Sequence, residues 1–368
     1  MKQVRTIDEL PALLRFNDGA LVAERGQWPR RRQELREAIL THQYGHLPPA
    51  PGKVGAELLH AYGALGALEA PAAHYRLVME PGGLSFNVHL LTPPGKGPFP
   101  TIVDGDGCWD YLTEEIRRTV VERGFALAFF NRTEVAADAG TETRTSGLYK
   151  YAPEGDYGAV AAWAWGYHRV VDLLLGVETV DPARLIAAGH SRGGKAALLA
   201  GATDERFALT APNDSGCFGA GCTRFPDVLE ERRDEAGKPL PYWSCQGERL
   251  EDMLRGFPYW CCRRLREYGG RVADLPCDQH FLKALVAPRG LLTTEARGDI
   301  WASPRGTRLT HEAAREVYRF MGVPERIGIW YREGGHAHGL ADWEAMLDFA
   351  DWQFTGQQAA RDFDMKPE

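Results

Sequence analysis

Residues 184–200 read Arg-Leu-Ile-Ala-Ala-Gly-His-Ser-Arg-Gly-Gly-Lys-Ala-Ala-Leu-Leu-Ala, an apolar strand pattern that breaks at Gly189-His190-Ser191-Arg192-Gly193 and resumes as a helix. A strand that becomes a helix within five residues must bend sharply, and glycines on either side of the serine let it do so without side-chain collision. Such an elbow lifts a serine hydroxyl clear of the backbone at the edge of a sheet, above a helix N-terminus. Ser191 is therefore the candidate nucleophile.

The surrounding pattern supplies the sheet that this bend requires. Strand-like segments at His74 to Met79 and Ser85 to Thr92 flank Pro81-Gly82-Gly83 and predict a hairpin. Further on, apolar strands at Thr101 to Val103, Phe125 to Phe130, Leu185, Phe207 to Thr210, Gly290 to Thr294 and Ile327 to Tyr331 alternate with helical stretches at Tyr111 to Arg123, Gly158 to Gly176 and after Arg192. This alternation predicts an α/β fold of the α/β-hydrolase type: a mostly parallel sheet with helices on both faces, a three-layer sandwich. Helical spacing up to about Leu40 and the connector Leu47-Pro-Pro-Ala-Pro-Gly52 set residues 1–52 apart as an N-terminal helical extension, leaving 53–368 as the hydrolase domain.

Serine is a weak nucleophile at neutral pH and needs an imidazole to take its proton and a carboxylate to orient that imidazole. In this architecture they follow the serine in the order acid, then histidine. After the last strand comes Arg332-Glu-Gly-Gly-His-Ala-His-Gly339, a glycine loop carrying two histidines. His336 is the preferred base and His338 the alternative. Asp299, in the loop after Gly290 to Thr294, and Asp214, after Phe207 to Thr210, are both placed to be the acid, with Glu295 a weaker third. The backbone N–H of Arg192 is positioned to donate to an oxyanion. Lys195 lies one helical turn beyond Ser191 on the same face. Trp301 and Trp109 fall in loops expected to border a crevice, where a flat ring suits a sugar.

Several separated segments bear a closer resemblance. Ala161-Ala-Trp-Ala-Trp-Gly166 with Arg169 and Asp172, Gly189-His-Ser-Arg-Gly-Gly-Lys195, Phe257-Pro-Tyr-Trp260, Leu275-Pro-Cys-Asp-Gln-His280 with Ala287-Pro-Arg289, Asp299-Ile-Trp301, and Gly335-His336 followed by Asp342-Trp343 and Asp348-Phe-Ala-Asp351 together resemble the glucuronoyl esterases, carbohydrate esterase family 15, in their bacterial form. The resemblance covers roughly Pro98 to Phe354. It implies hydrolysis of esters of (4-O-methyl-)glucuronic acid, with Ser191 as nucleophile, His336 as base and Arg192 at the oxyanion. It further implies that Lys195, Glu248 and Trp301 bind the uronate. Family members place the acid after either of two strands, matching Asp214 and Asp299. Glutamate is usual at the first position, and the shorter Asp214 shifts the preference to Asp299.

The segment 224–246 is longer than the family norm and is expected to form an exposed flap. Composition narrows the partners. With 43 Lys+Arg against 50 Asp+Glu and a net charge of -7, the chain lacks the clustered basic surface that nucleic acid requires. No apolar run approaches the ~18 residues of a membrane span. Acidic residues by position 8 and no apolar core in the first residues lead to the expectation of a cytoplasmic protein. The cysteines (Cys108, Cys217, Cys222, Cys245, Cys261, Cys262, Cys277) are odd in number and lack paired metal-binding spacing, so reduced thiols and neither metal nor cofactor are expected. The expected partner is a small-molecule or oligosaccharide uronate ester. An esterase for other acyl sugars and a non-catalytic carbohydrate-binding protein are the alternatives.

Overall fold

The structure, a computed structural model, describes residues 6–229, 233 and 237–368, and the side chains of all of these except 141–143. Nine strands form one sheet: β1 (Lys53–Ala64), β2 (Ala70–Glu80), β3 (Leu84–Leu91), β4 (Phe99–Asp104), β5 (Ala126–Phe130), β6 (Val180–His190), β7 (Phe207–Asn213), β8 (Gly290–Ala296) and β9 (Ile327–Arg332). Their order is β1-β2-β3-β5-β4-β6-β7-β8-β9. The first three strands pair antiparallel, as does β3 with β5, and all pairs from β5 to β9 are parallel. The expected hairpin is present, with Met79 opposite Leu84 across Pro81-Gly82-Gly83.

The helices are α1 (Trp28–Ile39), α2 (Glu114–Glu122), α3 (Arg132–Val135), α4 (Leu148–Tyr151), α5 (Ala159–Leu174), α6 (Arg192–Thr203), α7 (Leu250–Gly256), α8 (His280–Val286), α9 (Pro304–Met321) and α10 (Leu340–Thr355). Side chains on a strand alternate between faces. Ile102, Ile186, Ala188 and Leu292 therefore pack with Ile116 and Val120 of α2 and with Trp343, Leu347 and Phe349 of α10. Their neighbours Val103, Leu185, Ala187 and Leu291 pack on the other face with α1, α5, α6, α8 and α9. Two covered faces explain why the parallel strands read as continuous apolar runs.

Residues 6–52 contribute directly to the larger core. Trp28, Leu35, Ile39 and Tyr44 are buried there, and the Tyr44 hydroxyl donates to the Phe218 carbonyl at 2.7 Å. Helix α5 is enclosed on nearly all sides, and Trp165 on it donates to the Pro49 carbonyl at 3.3 Å. A helix apolar all round needs such cover.

The expected flap is rooted at its base. Val228 bridges Gln246, and buried Asp227 accepts from the Arg305 and Gly306 N–H groups at 3.2 and 3.1 Å, capping the first turn of α9. The charged run Glu230 to Asp234 lies outside the described residues, Arg233 apart. Among the described residues no cysteine is joined in a disulfide. No helix among the described residues is long and apolar enough to cross a membrane.

Candidate active site

Four neighbouring parallel strands, β6 to β9, end at the same edge of the sheet, and the segment after each carries one of the expected groups: Ser191, Asp214, Asp299 and His336. The carboxyl edge is where crevices open in α/β sheets. Ser191 itself adopts φ 56° and ψ -122°, a conformation that costs a non-glycine residue about 1–3 kcal/mol. The surroundings enforce it. Its N–H donates to the Asn213 carbonyl at 2.9 Å, and its own carbonyl accepts from Lys195 N–H at 3.0 Å. A Cβ at Gly189 would lie 2.6 Å from the Gly193 carbonyl oxygen, and one at Gly193 would collide with the Asp106 carboxylate. Only glycine fits either place. Ser191 is half-buried and therefore reachable from the crevice.

His336 is exposed, and its Nδ1 lies 2.5 Å from Asp299 Oδ2. The other oxygen of Asp299 accepts weakly from Ala302 N–H at 3.4 Å. The His336 ring packs at 4.4 Å on that of His190, the residue before the serine. Asp214 also reaches this centre, but its Oδ1 accepts from Ala296 N–H at 2.7 Å and its Oδ2 from Arg332 at 3.0 Å. Burial, then the charges of Glu295 and Asp299, push the Asp214 carboxyl well above the usual carboxylate range, opposed by Ala296 N–H and Arg332. Glu295 is wholly buried, and burial pushes it up to about 8. Asp214, Asp299 and His336 each bring one atom within 4.8 Å of the others. These atoms already serve one another and the Arg332 guanidinium, whose charge opposes a metal cation there.

His338 occupies a different place. It is buried, 5.6 Å from the His190 ring and 5.0 Å from that of Trp343. Burial pushes its imidazole down from 6.5 to about 3, with the Arg332 charge a second cause. As pH falls, the unfolded chain takes up this proton before the native state does, so stability is lost between about pH 6.5 and 3. Relative to His338→Gln, the wild type is expected to lose about 1.4 kcal/mol per pH unit over that window in urea titrations. Parallel stability curves would show instead that the folded ring accepts the proton.

Arg192 opens α6, so its N–H has no acceptor within the helix. Its guanidinium turns aside to Asp138 at 2.8 Å and lies over the rings of Trp260 and Phe257. Asp138 also accepts from Tyr259 and the Trp260 indole, each at 3.0 Å. Burial works against its charge, but the Arg192 bond and charge hold it below the usual carboxylate range.

Lys195, expected to bind the uronate, is buried beside Glu248. Its ammonium is spent on Glu248 and the Ser215 carbonyl, each at 2.9 Å, and on the Cys217 carbonyl. Its three N–H donors thus have three acceptors. Lys195 orients Glu248, whose N–H donates to the Trp301 carbonyl at 2.9 Å. Trp301 is half-buried and meets Tyr242 of the flap edge-on at 5.8 Å. Trp109 lies under the Arg132 guanidinium at 4.2 Å.

Several residues of the site escaped the sequence reading. Asp106, buried in the loop after β4, accepts from His190 N–H at 2.7 Å and pairs with buried Arg132. Its signal was available: an acid between glycines at the end of a strand, Asp104-Gly-Asp-Gly107. Asn213 joins His190 Nδ1 at 2.5 Å to Asp342 at 3.2 Å. Arg332 binds both Asp214 and Asp342.

A serine on a strand-to-helix elbow, with a carboxylate-bound histidine after the last strand, on a mostly parallel sheet flanked by helices, is the arrangement of a serine hydrolase of the α/β-hydrolase fold. The comparisons narrow this further. Residues 78–322 match the family model described as "Glucuronyl esterase, fungi". The chain is 28% identical to a 4-O-methyl-glucuronoyl methylesterase of Schizophyllum commune, over 96% of this chain and 84% of that protein. Its fold is similar to that of a family 15 glucuronoyl esterase from Caldicellulosiruptor kristjansonii, with TM-score 0.82, 31% identity and coverage of 99% and 94% of the two chains. It is also similar to a glucuronoyl esterase from Sporotrichum thermophile solved with methyl 4-O-methyl-beta-D-glucopyranuronate, with TM-score 0.74, 26% identity and coverage of 97% and 90%. The chain belongs to the glucuronoyl esterase family.

Proposed function

We propose that this protein hydrolyses esters of (4-O-methyl-)glucuronic acid through a Ser191-His336-Asp299 triad and a covalent acyl-enzyme. The observation that carries the triad is the 2.5 Å contact between His336 Nδ1 and Asp299, on a ring packed against the residue before Ser191. Ser191 Oγ attacks the uronoyl carbonyl while His336 Nε2 takes its proton. The oxyanion is met by Arg192 N–H, aided by the dipole of α6. Collapse breaks the ester C–O bond, and the alcohol leaves with the proton from His336. Water, deprotonated by the same ring, attacks the acyl carbon and frees the uronate and the serine. Asp299 holds the imidazole in the tautomer this exchange needs.

Glu248, fixed by Lys195, and Trp301 are proposed to receive the sugar, one by hydrogen bonding to its hydroxyls and the other by offering a flat ring. The relatives' methylesterase names, and the methyl glucuronate bound to the Sporotrichum enzyme, support a small-molecule or oligosaccharide uronate ester as substrate. Benzyl glucuronate and para-nitrophenyl acetate, assayed side by side, test this reading. A higher kcat/KM on the uronate is expected, with rapid release of one equivalent of alcohol before the steady state. Turnover of the acetate with none of the uronate would replace the assignment with a general acyl-sugar esterase.

A further inference from the structure

The loop that carries His336 holds two further glycines, Gly334 and Gly335, and its residues 333–337 are exposed. The imidazole itself meets Asp299 and the His190 ring, and Gly298 N–H donates to the Gly334 carbonyl at 3.0 Å. The carbonyls flanking His336 are held from beneath by one side chain. Arg332, the last residue of β9, folds its guanidinium back under the loop and donates to the carbonyls of Glu333 at 3.2 Å, Gly335 at 3.0 Å and Ala337 at 2.5 Å. The last two carbonyls belong to the residues on either side of His336. The same guanidinium is anchored below by two buried carboxylates, Asp342 through Nε at 2.8 Å and Asp214 through Nη2 at 3.0 Å.

These anchors are themselves fixed. Asp342 accepts from Gly339 N–H at 3.0 Å and from Asn213 at 3.2 Å. Asn213 in turn holds His190 beside the nucleophile at 2.5 Å. Asp214 is held by the Ala296 N–H at the end of β8. The chain of contacts therefore runs from the serine elbow, across the ends of β7 and β8, to the histidine loop, and Arg332 is its last member. A planar five-donor fork can serve two carboxylates and three carbonyls at once, which an ammonium cannot.

We infer that Arg332 is a positioning residue: by gripping the carbonyls flanking His336 it holds the imidazole in register with Ser191 and Asp299. Asp214 thereby serves as the anchor of the grip. This rests on the reading of His336 as the base, and the two are separable by experiment.

Arg332→Lys keeps a cation against Asp214 and Asp342 but cannot hold both flanking carbonyls. It is expected to lower kcat on benzyl glucuronate by about 10- to 100-fold, with KM and melting temperature near those of the wild type. Arg332→Gln also leaves the carboxylates unpaired and is expected to lose stability as well. The decisive comparison is a double-mutant cycle with His336→Ala. If Arg332 acts through the imidazole, Arg332→Lys causes no further loss of kcat once His336 is alanine. Wild-type kcat in Arg332→Lys would overturn the proposal, as would an equal fold-loss in both backgrounds. Full activity in His336→Ala alone would instead remove the base assignment.

Discussion

Replacing Ser191 with alanine is expected to lower kcat on benzyl glucuronate by about 10⁵- to 10⁶-fold, the scale seen when a triad serine is removed from a hydrolase. Glucuronate, as product, should still bind with a Kd within a few-fold of the wild type, because Glu248 and Trp301 are untouched. The backbone should persist too: alanine inherits the φ of 56° that the elbow imposes, and no hydrogen bond among the described residues uses the hydroxyl. Calorimetry with glucuronate and a turnover assay on the same preparation separate the two effects. A variant retaining a tenth of the activity would mean that water is activated elsewhere, and the acyl-enzyme would have to be abandoned.

Asp299→Asn is expected to lower kcat by about 10⁴-fold, since an amide at this position favours the wrong imidazole tautomer. Asp214→Asn is expected to stay within about tenfold of the wild type. Its amide oxygen can still accept from one of the two donors now served, Ala296 N–H and Arg332. The contrast follows from geometry: one carboxyl touches His336 Nδ1 and the other faces a backbone amide and a guanidinium. The reverse ranking in kcat would transfer the orienting role to the strand before.

What could be read from the chain follows from how local each signal is. The elbow was legible because a serine between two close-fitting glycines needs only five residues, and the parallel strands were legible because burial on both faces makes them apolar runs. Strand β1 was not: it lies at the open edge of the sheet, is largely exposed, and carries Leu58 and Tyr62 outward, so its sequence shows neither a run nor an alternation. Asp299 was preferred to the shorter Asp214 from the chain alone, but the occupation of Asp214 by Ala296 N–H and Arg332 was not legible there. Arg332 looked like an ordinary start to a glycine loop, and its partners lie up to 118 positions away. Lys195 was legible from its spacing to the serine, whereas its ion pair with Glu248, 53 positions away, was not.

One consequence of hanging each reacting group on its own strand-end loop concerns the order in which heat would undo the protein. The strands beneath are sealed in two cores, whereas His336 rides on an exposed loop tied down by the Arg332 guanidinium and the Gly298 N–H. Local opening there requires little of the apolar surface to be uncovered. On heating, turnover is therefore expected to fade while the sheet is still whole, and to return on cooling without any need to refold it.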